Sequence, residues 1–175
     1  MTNQNIPKKI LYWYDNNKRA LPWRKKVSKK KQDYFTLVSE FMLQQTQVKT
    51  VIPYFEKFIK EFPNLKSLAK SSDHKILKNW EGLGYYSRAR NLKKTAIKLL
   101  KDYKGELPED IETLKSLPGI GEYTSRSILA IAHNKPYIPM DGNVERILKR
   151  VFLLKTDYEI SKENLNKKKS FFGFS

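Results

Sequence analysis

Leu117-Pro118-Gly119-Ile120-Gly121 is the stretch that decides how this chain is read. It lies between two runs of helical periodicity, and its two glycines can adopt positive φ and turn the chain tightly. Successive backbone N–H groups in such a turn form an anion-binding concavity, and the next helix N-terminus adds partial positive charge. The turn is either an ordinary helix–helix connection or a grip on a DNA phosphate through Gly119, Ile120 and Gly121. Asp141 follows twenty residues after Gly121. It is either the N-cap of the next helix or a carboxylate placed beside the sugar next to that phosphate.

Working outward, the sequence predicts helices joined by short turns. Ile10, Leu11 and Trp13-Tyr14 form the apolar part of an opening helix, which Leu21-Pro22-Trp23-Arg24 breaks. Lys25 to Gln32 carries five lysines and reads as a solvated loop. Asp33 to Thr46 has helical spacing, and a second helix runs from about Gln47 to Phe62, interrupted by Pro53 and ended by Pro63. Ser72-Asp73 caps a short helix through Trp80, and Gly82-Leu83-Gly84 is a turn. Ala89, Leu92, Ala96, Leu99 and Tyr103 mark the next helix, and Pro108 to Lys115 a short one. After the 117–121 turn, Ile128, Leu129 and Ala132 define a helix. Val144, Ile147, Leu148, Val151 and Phe152 define an amphipathic one opening at Asp141. No segment has a convincing period of two, so the expected class is all-α.

Composition narrows the function. The 175 residues carry 35 basic and 18 acidic side chains, a net charge of +17. That balance favours a polyanion such as nucleic acid. Only seven of the basic residues are Arg, and a lysine bias of coding origin gives the same charge. The absence of Cys excludes disulfides, zinc–thiolate sites and iron–sulfur clusters ligated by this chain. His74 and His133 are far apart in sequence and read as surface or helix-end residues, so no metal ligands are assigned. No apolar run approaches a membrane span, and Met1 to Lys9 lacks a signal-peptide core, so the expected location is the cytoplasm.

Several residues can carry chemistry. Glu40 lies in the otherwise apolar stretch Val38-Ser39-Glu40-Phe41-Met42-Leu43. A carboxyl buried there has a raised pKa and can hold a proton near neutrality; the alternative is a surface Glu. Gln44, Gln45 and Thr46 can read base edges or simply end a helix. Leu83 and Tyr85-Tyr86 can insert into a base stack or cover a core. Arg88, Arg90, Lys93 and Lys94 are either phosphate cations or a solvated face.

Taken together, Leu21-Pro-Trp-Arg24, Val38-Ser-Glu-Phe-Met-Leu-Gln-Gln-Thr-Gln47, Trp80-Glu-Gly-Leu-Gly-Tyr-Tyr-Ser-Arg-Ala-Arg-Asn-Leu92, Leu117-Pro-Gly-Ile-Gly-Glu-Tyr-Thr124 and Met140-Asp-Gly-Asn-Val144 form one ordered series. The series resembles the adenine DNA glycosylases of the helix-hairpin-helix superfamily, over about residues 7 to 154. The related thymine-glycol type of endonuclease carries a Lys nucleophile two residues after the last hairpin glycine. This chain has Tyr123 there, and Asp-Gly-Asn after the hairpin, as in the adenine-specific branch.

The resemblance implies base-excision repair by hydrolysis of adenine mispaired with guanine or 8-oxoguanine in duplex DNA, with the base flipped out. Glu40 would protonate adenine and Asp141 would stabilise the cationic sugar. Arg24 and Tyr123 would line the base pocket, and Asn143 would orient the reacting groups. Gln45 and Tyr85 would wedge the stack, with Gln44 beside them and Thr46 and Leu83 near the opposing guanine. The alternatives are a non-catalytic DNA-binding remnant and a related glycosylase with another base preference. The family also implies a 4Fe-4S cluster held by four Cys in a second lobe; this chain has no Cys to ligate it.

The expected organisation is an N-terminal helix and basic loop (1–32), a glycosylase core (33–140) and the start of the cluster lobe (141–175). Lys167-Lys168-Lys169 can be encoded by an A-tract prone to frameshift, so 162–175 is expected to be a non-native tail on a truncated chain. Ile10, Trp13 and Tyr14 would then lack the segment that covers them.

Overall fold

The computed structural model describes residues 6–152, with side-chain surroundings for residues 8–151. All regular elements among them are helical, as the periodicity predicts. They are α1 (Ile6–Asn17), a 3-10 turn (Pro22–Arg24), α2 (Lys29–Leu43), α3 (Val48–Glu61), α4 (Leu65–Lys70), α5 (Asp73–Trp80), α6 (Ser87–Asp102), α7 (Ile111–Lys115), α8 (Glu122–Ala132) and α9 (Gly142–Phe152). No described helix is long and apolar enough to cross a membrane.

By internal contacts the chain divides into Leu21–Pro139 and a unit made of Met1–Ala20 with Met140–Ser175. The larger unit starts at Leu21 rather than Asp33 because the segment before α2 belongs to its core. Leu21, Pro22 and Trp23 are buried. Trp23 meets Phe55 edge-on at 5.2 Å, and its carbonyl accepts from the Gln32 amide at 2.8 Å. The tail assigned to 162–175 falls outside the described residues.

Helix α2 is the spine of the larger unit. Tyr34 through Met42 are buried without a break, and α3, α6 and α8 pack around it. Leu37, Val38, Phe41 and Met42 are fully buried, worth about 1.5–3 kcal/mol each by area. The helix starts four residues earlier than periodicity suggests. Lys29 accounts for this: its Nζ pairs with Asp33 at 2.5 Å and donates to the Ala132 carbonyl at 2.7 Å. It also ends earlier, at Leu43, so Gln44, Gln45 and Thr46 form a turn in which Gln45 has φ of 55°.

Pro53 does not interrupt α3. The carbonyl it leaves without a donor belongs to exposed Lys49, where water can satisfy it. Helix α4 is not evident from periodicity; its signal is the Asn64–Ser67 capping box. The helix ahead of the hairpin is shorter than Pro108–Lys115, because Asp110 caps it by accepting from the Thr113 N–H at 2.7 Å.

In the smaller unit, α1 leaves Ile10, Leu11, Trp13 and Tyr14 exposed. On α9, Leu148 is buried while Ile147 and Val151 are exposed.

Candidate active site

The hairpin is α7, the turn at residues 116–121, and α8. Gly119 has φ of 79°, a region costly for any residue with a Cβ. A Cβ there would lie 2.8 Å from both the Asn91 Cβ and the Phe41 ring. Gly119 therefore sits hard against α2 and α6. Gly121 differs from the expectation of two left-handed glycines. It is extended (φ −94°) and forms the N-cap of α8, and a Cβ on it would meet nothing within 4 Å. The second glycine leaves open space over the helix N-terminus, where an anion can approach the backbone.

The turn is fixed from below. Thr95 Oγ1 donates to the Pro118 carbonyl at 2.8 Å, and Lys98 Nζ to the Ser116 carbonyl at 3.2 Å. The Gln44 amide donates to the Gly119 carbonyl at 3.1 Å and contacts Thr124 Oγ1 at 3.2 Å. Gln44 thus braces the hairpin. Ile120 is buried, and its N–H closes the turn on the Leu117 carbonyl at 3.2 Å.

Glu40 lies on α2 with 9% of its surface exposed. Burial raises its pKa, opposed by a side-chain hydrogen bond from Ser127 and by the positive charge of Arg24. Ser127 is on α8, so the hairpin's second helix supplies the hydroxyl beside this carboxyl. A carboxyl in this setting keeps its proton to higher pH than a free Glu, as a general acid requires. Arg24 closes the 3-10 turn and Tyr123 lies exposed on the first turn of α8.

Two loops are joined through Arg88. In the first, Gln45 is exposed and left-handed, with Thr46 half-buried next to it. In the second, Gly82 (φ 92°) fits against the Tyr54 hydroxyl, Leu83 is buried, and Tyr85 is 60% exposed with φ of 48°. Arg88 is not a phosphate cation on a solvated face. It is 6% exposed, and its guanidinium reaches main-chain carbonyls of both loops. Lys93 pairs with Asp73 at 2.5 Å.

Asp141 and Asn143 belong to the smaller unit. Asp141 Oδ1 accepts the N–H groups of Asn143 and Val144 at 3.0 and 2.8 Å, so the residue caps α9, and Oδ2 lies outside that cap. The Asn143 side chain accepts from Arg146 at 2.8 Å.

A family model described as HhH-GPD superfamily base excision DNA repair protein matches residues 38–170. The chain belongs to the HhH-GPD superfamily. Adenine DNA glycosylase of Buchnera aphidicola subsp. Baizongia pistaciae is 46% identical to it over 153 residues, which is 87% of this chain and 42% of that protein. The chain thus spans under half the length of that curated relative. Among solved structures, a thermostable thymine-DNA glycosylase aligns with a TM-score of 0.82 at 24% identity, covering 97% of this chain and 77% of that one. Endonuclease III in a non-covalent complex with DNA aligns with a TM-score of 0.74 at 22% identity, covering 99% and 82%. These two likenesses concern the HhH-GPD fold.

The 4Fe-4S cluster that the resemblance implies needs thiolate ligands. The sequence has no Cys, and no group of three or more His, Asp or Glu among the described residues is placed to hold a metal. The residues present do not fit such a group.

Ser127, the bracing role of Gln44 and the burial of Arg88 go beyond what the sequence alone reveals. Ser127 lies one turn after Tyr123 on the same helix, and that i,i+4 spacing is the available signal.

Proposed function

We propose that this HhH-GPD chain is the part of an adenine DNA glycosylase that grips duplex DNA and protonates the base. The reaction is hydrolysis of the N-glycosidic bond of adenine mispaired with guanine or 8-oxoguanine. The observation that carries this reading is Glu40: a buried carboxyl with raised pKa, beside the second hairpin helix, in a chain 46% identical to an adenine DNA glycosylase.

The chemistry parallels glycosidases that use one protonated and one charged carboxyl. Glu40 gives its proton to a ring nitrogen of the flipped adenine. The C1′–N9 bond then breaks, with its electron pair leaving on the base. The sugar becomes cationic and the Asp141 carboxylate offsets that charge. Water adds its oxygen to C1′ and loses a proton, which restores Glu40. The backbone at Gly119–Gly121 holds a neighbouring phosphate, and Gln45 and Tyr85 fill the stack that the adenosine leaves. Thr46 and Leu83 sit near the opposing guanine. Arg24 and Tyr123 border the base, and Asn143 orients the sugar side.

The test is adenine release from duplexes carrying adenine opposite 8-oxoguanine, guanine, cytosine or thymine. Release opposite the first two and not the last two supports the proposal. Tight duplex binding with no release opposite any of them would instead mark a DNA-binding remnant.

A further inference from the structure

Arg88 joins the two loops that the proposed reading sends into the DNA. Its Nη1 donates to the carbonyls of Phe41, Met42 and Gln44 at 3.2, 2.8 and 2.5 Å. Its Nη2 donates to those of Leu83 and Gly84 at 3.2 and 3.1 Å. The first set is the end of α2, where helix carbonyls lack intrahelical partners and a cation is favourable. The second is the 82–84 turn. Both loops are therefore held by one planar, rigid fork of donors.

Two of those carbonyls have a special place in the chain. Gln44 immediately precedes Gln45, and Gly84 immediately precedes Tyr85. Gln45 and Tyr85 are non-glycine residues in the left-handed region, with φ of 55° and 48°. Such conformations persist only where surrounding structure over-determines them. Arg88 fixes the peptide unit on the N-terminal side of each. It also packs its guanidinium against the Tyr85 ring at 5.3 Å and the Trp80 ring at 5.6 Å, while Trp80 Nε1 donates to the same Gly84 carbonyl at 3.1 Å.

We infer that Arg88 is a positioning residue that holds Gln45 and Tyr85 in strained conformations and so pre-shapes both loop tips for duplex DNA. The DNA half of this inference rests on the proposed function; the conformational half does not. It acts through main-chain carbonyls, which accounts for a buried cation one turn from exposed Tyr85. Lys cannot replace it, because one ammonium cannot span five carbonyls on two loops.

Two cycles of variants test this. In the first, wild type and Arg88→Lys are unfolded in urea, alone and in the Gln45→Gly/Tyr85→Gly background. Where Arg88 imposes the strain, its loss lets Gln45 and Tyr85 relax and recovers part of the cost, whereas glycine leaves nothing to relax. The destabilisation by Arg88→Lys should therefore be larger in the glycine background, and the glycines should stabilise the protein only while Arg88 is present. Equal destabilisation in both backgrounds, or glycines that stabilise or rescue Arg88→Lys as much as they stabilise wild type, overturns the inference. In the second, affinity is measured for a duplex with adenine opposite 8-oxoguanine. Arg88→Lys should weaken binding about tenfold, or about 1.4 kcal/mol, in the wild-type background and hardly at all with Gln45→Ala/Tyr85→Ala. An equal factor in both backgrounds would mean a merely structural role and overturn it. Wild-type protein that does not bind this duplex contradicts the proposed function, and the urea cycle then still decides whether Arg88 carries the strain.

Discussion

The Gln44 side-chain amide donates to the main-chain carbonyl of Gly119 at 3.1 Å. Gln44 is four residues after Glu40 and Gly119 is the left-handed residue of the hairpin, so this one bond ties the end of the Glu40-bearing helix to the hairpin turn. Replacing Gln44 by Ala removes it together with the contact to Thr124 Oγ1. Each neutral hydrogen bond is worth about 0.5–1.5 kcal/mol net, so Gln44→Ala should lose about 1–2 kcal/mol in urea unfolding. Amide exchange should speed up most at residues 117–121.

The two hairpin glycines should respond very unequally in stability. Gly119→Ala imposes left-handed backbone on a residue with a Cβ and drives that Cβ to 2.8 Å from Asn91 and Phe41. Strain and overpacking together should cost about 3 kcal/mol, read by thermal unfolding. Gly121→Ala adds a Cβ into open space at an extended residue, so stability should change by less than about 0.5 kcal/mol. Duplex affinity should nevertheless fall in Gly121→Ala, because that open space is where the phosphate is proposed to approach.

Glu40 makes stability depend on pH. Its folded pKa is raised above 4.5 by burial, so below pH 4.5 both folded and unfolded states hold the proton and the site costs least. As pH rises the unfolded chain ionises first, and stability falls until pH passes the folded pKa. Glu40→Gln removes this penalty. It should be more stable than wild type at neutral pH, with the gap closing as pH falls toward 4.5 in urea titrations.

His133 has the opposite sense. Burial lowers its pKa below 6.5, helped by Lys29 and Lys135 and opposed by Asp33 and Glu109. Its contribution is complete above pH 6.5 and is lost as pH falls through the folded value, since the unfolded chain takes the proton first. As pH falls below about 6.5, wild type should lose stability more steeply than His133→Asn.

The helical order of this chain was legible because α6, α8 and α9 repeat apolar residues at helical spacing, and Ser72 and Asp141 are strong caps. Glu40 was legible because a lone carboxyl in an apolar helical run is carried into the core with its neighbours, where burial favours its neutral form. Arg88 was not: in Tyr-Tyr-Ser-Arg-Ala-Arg, Arg88 and Arg90 look alike, and only the fold buries one and exposes the other. Gln44 looked like Gln45 for the same reason. The start of α2 at Lys29 was hidden because the partners of Lys29 and Gln32, the Ala132 and Trp23 carbonyls, lie outside that helix. Main-chain acceptors leave no mark in sequence.

The central claim is that the buried Glu40 carboxyl protonates adenine. Single-turnover excision of adenine opposite 8-oxoguanine, by wild type and Glu40→Gln across pH, tests it most directly. Release by wild type should decline as pH rises through a raised pKa, and Glu40→Gln should release none despite unchanged duplex binding. Equal excision by Glu40→Gln, with the same pH profile, would contradict this role.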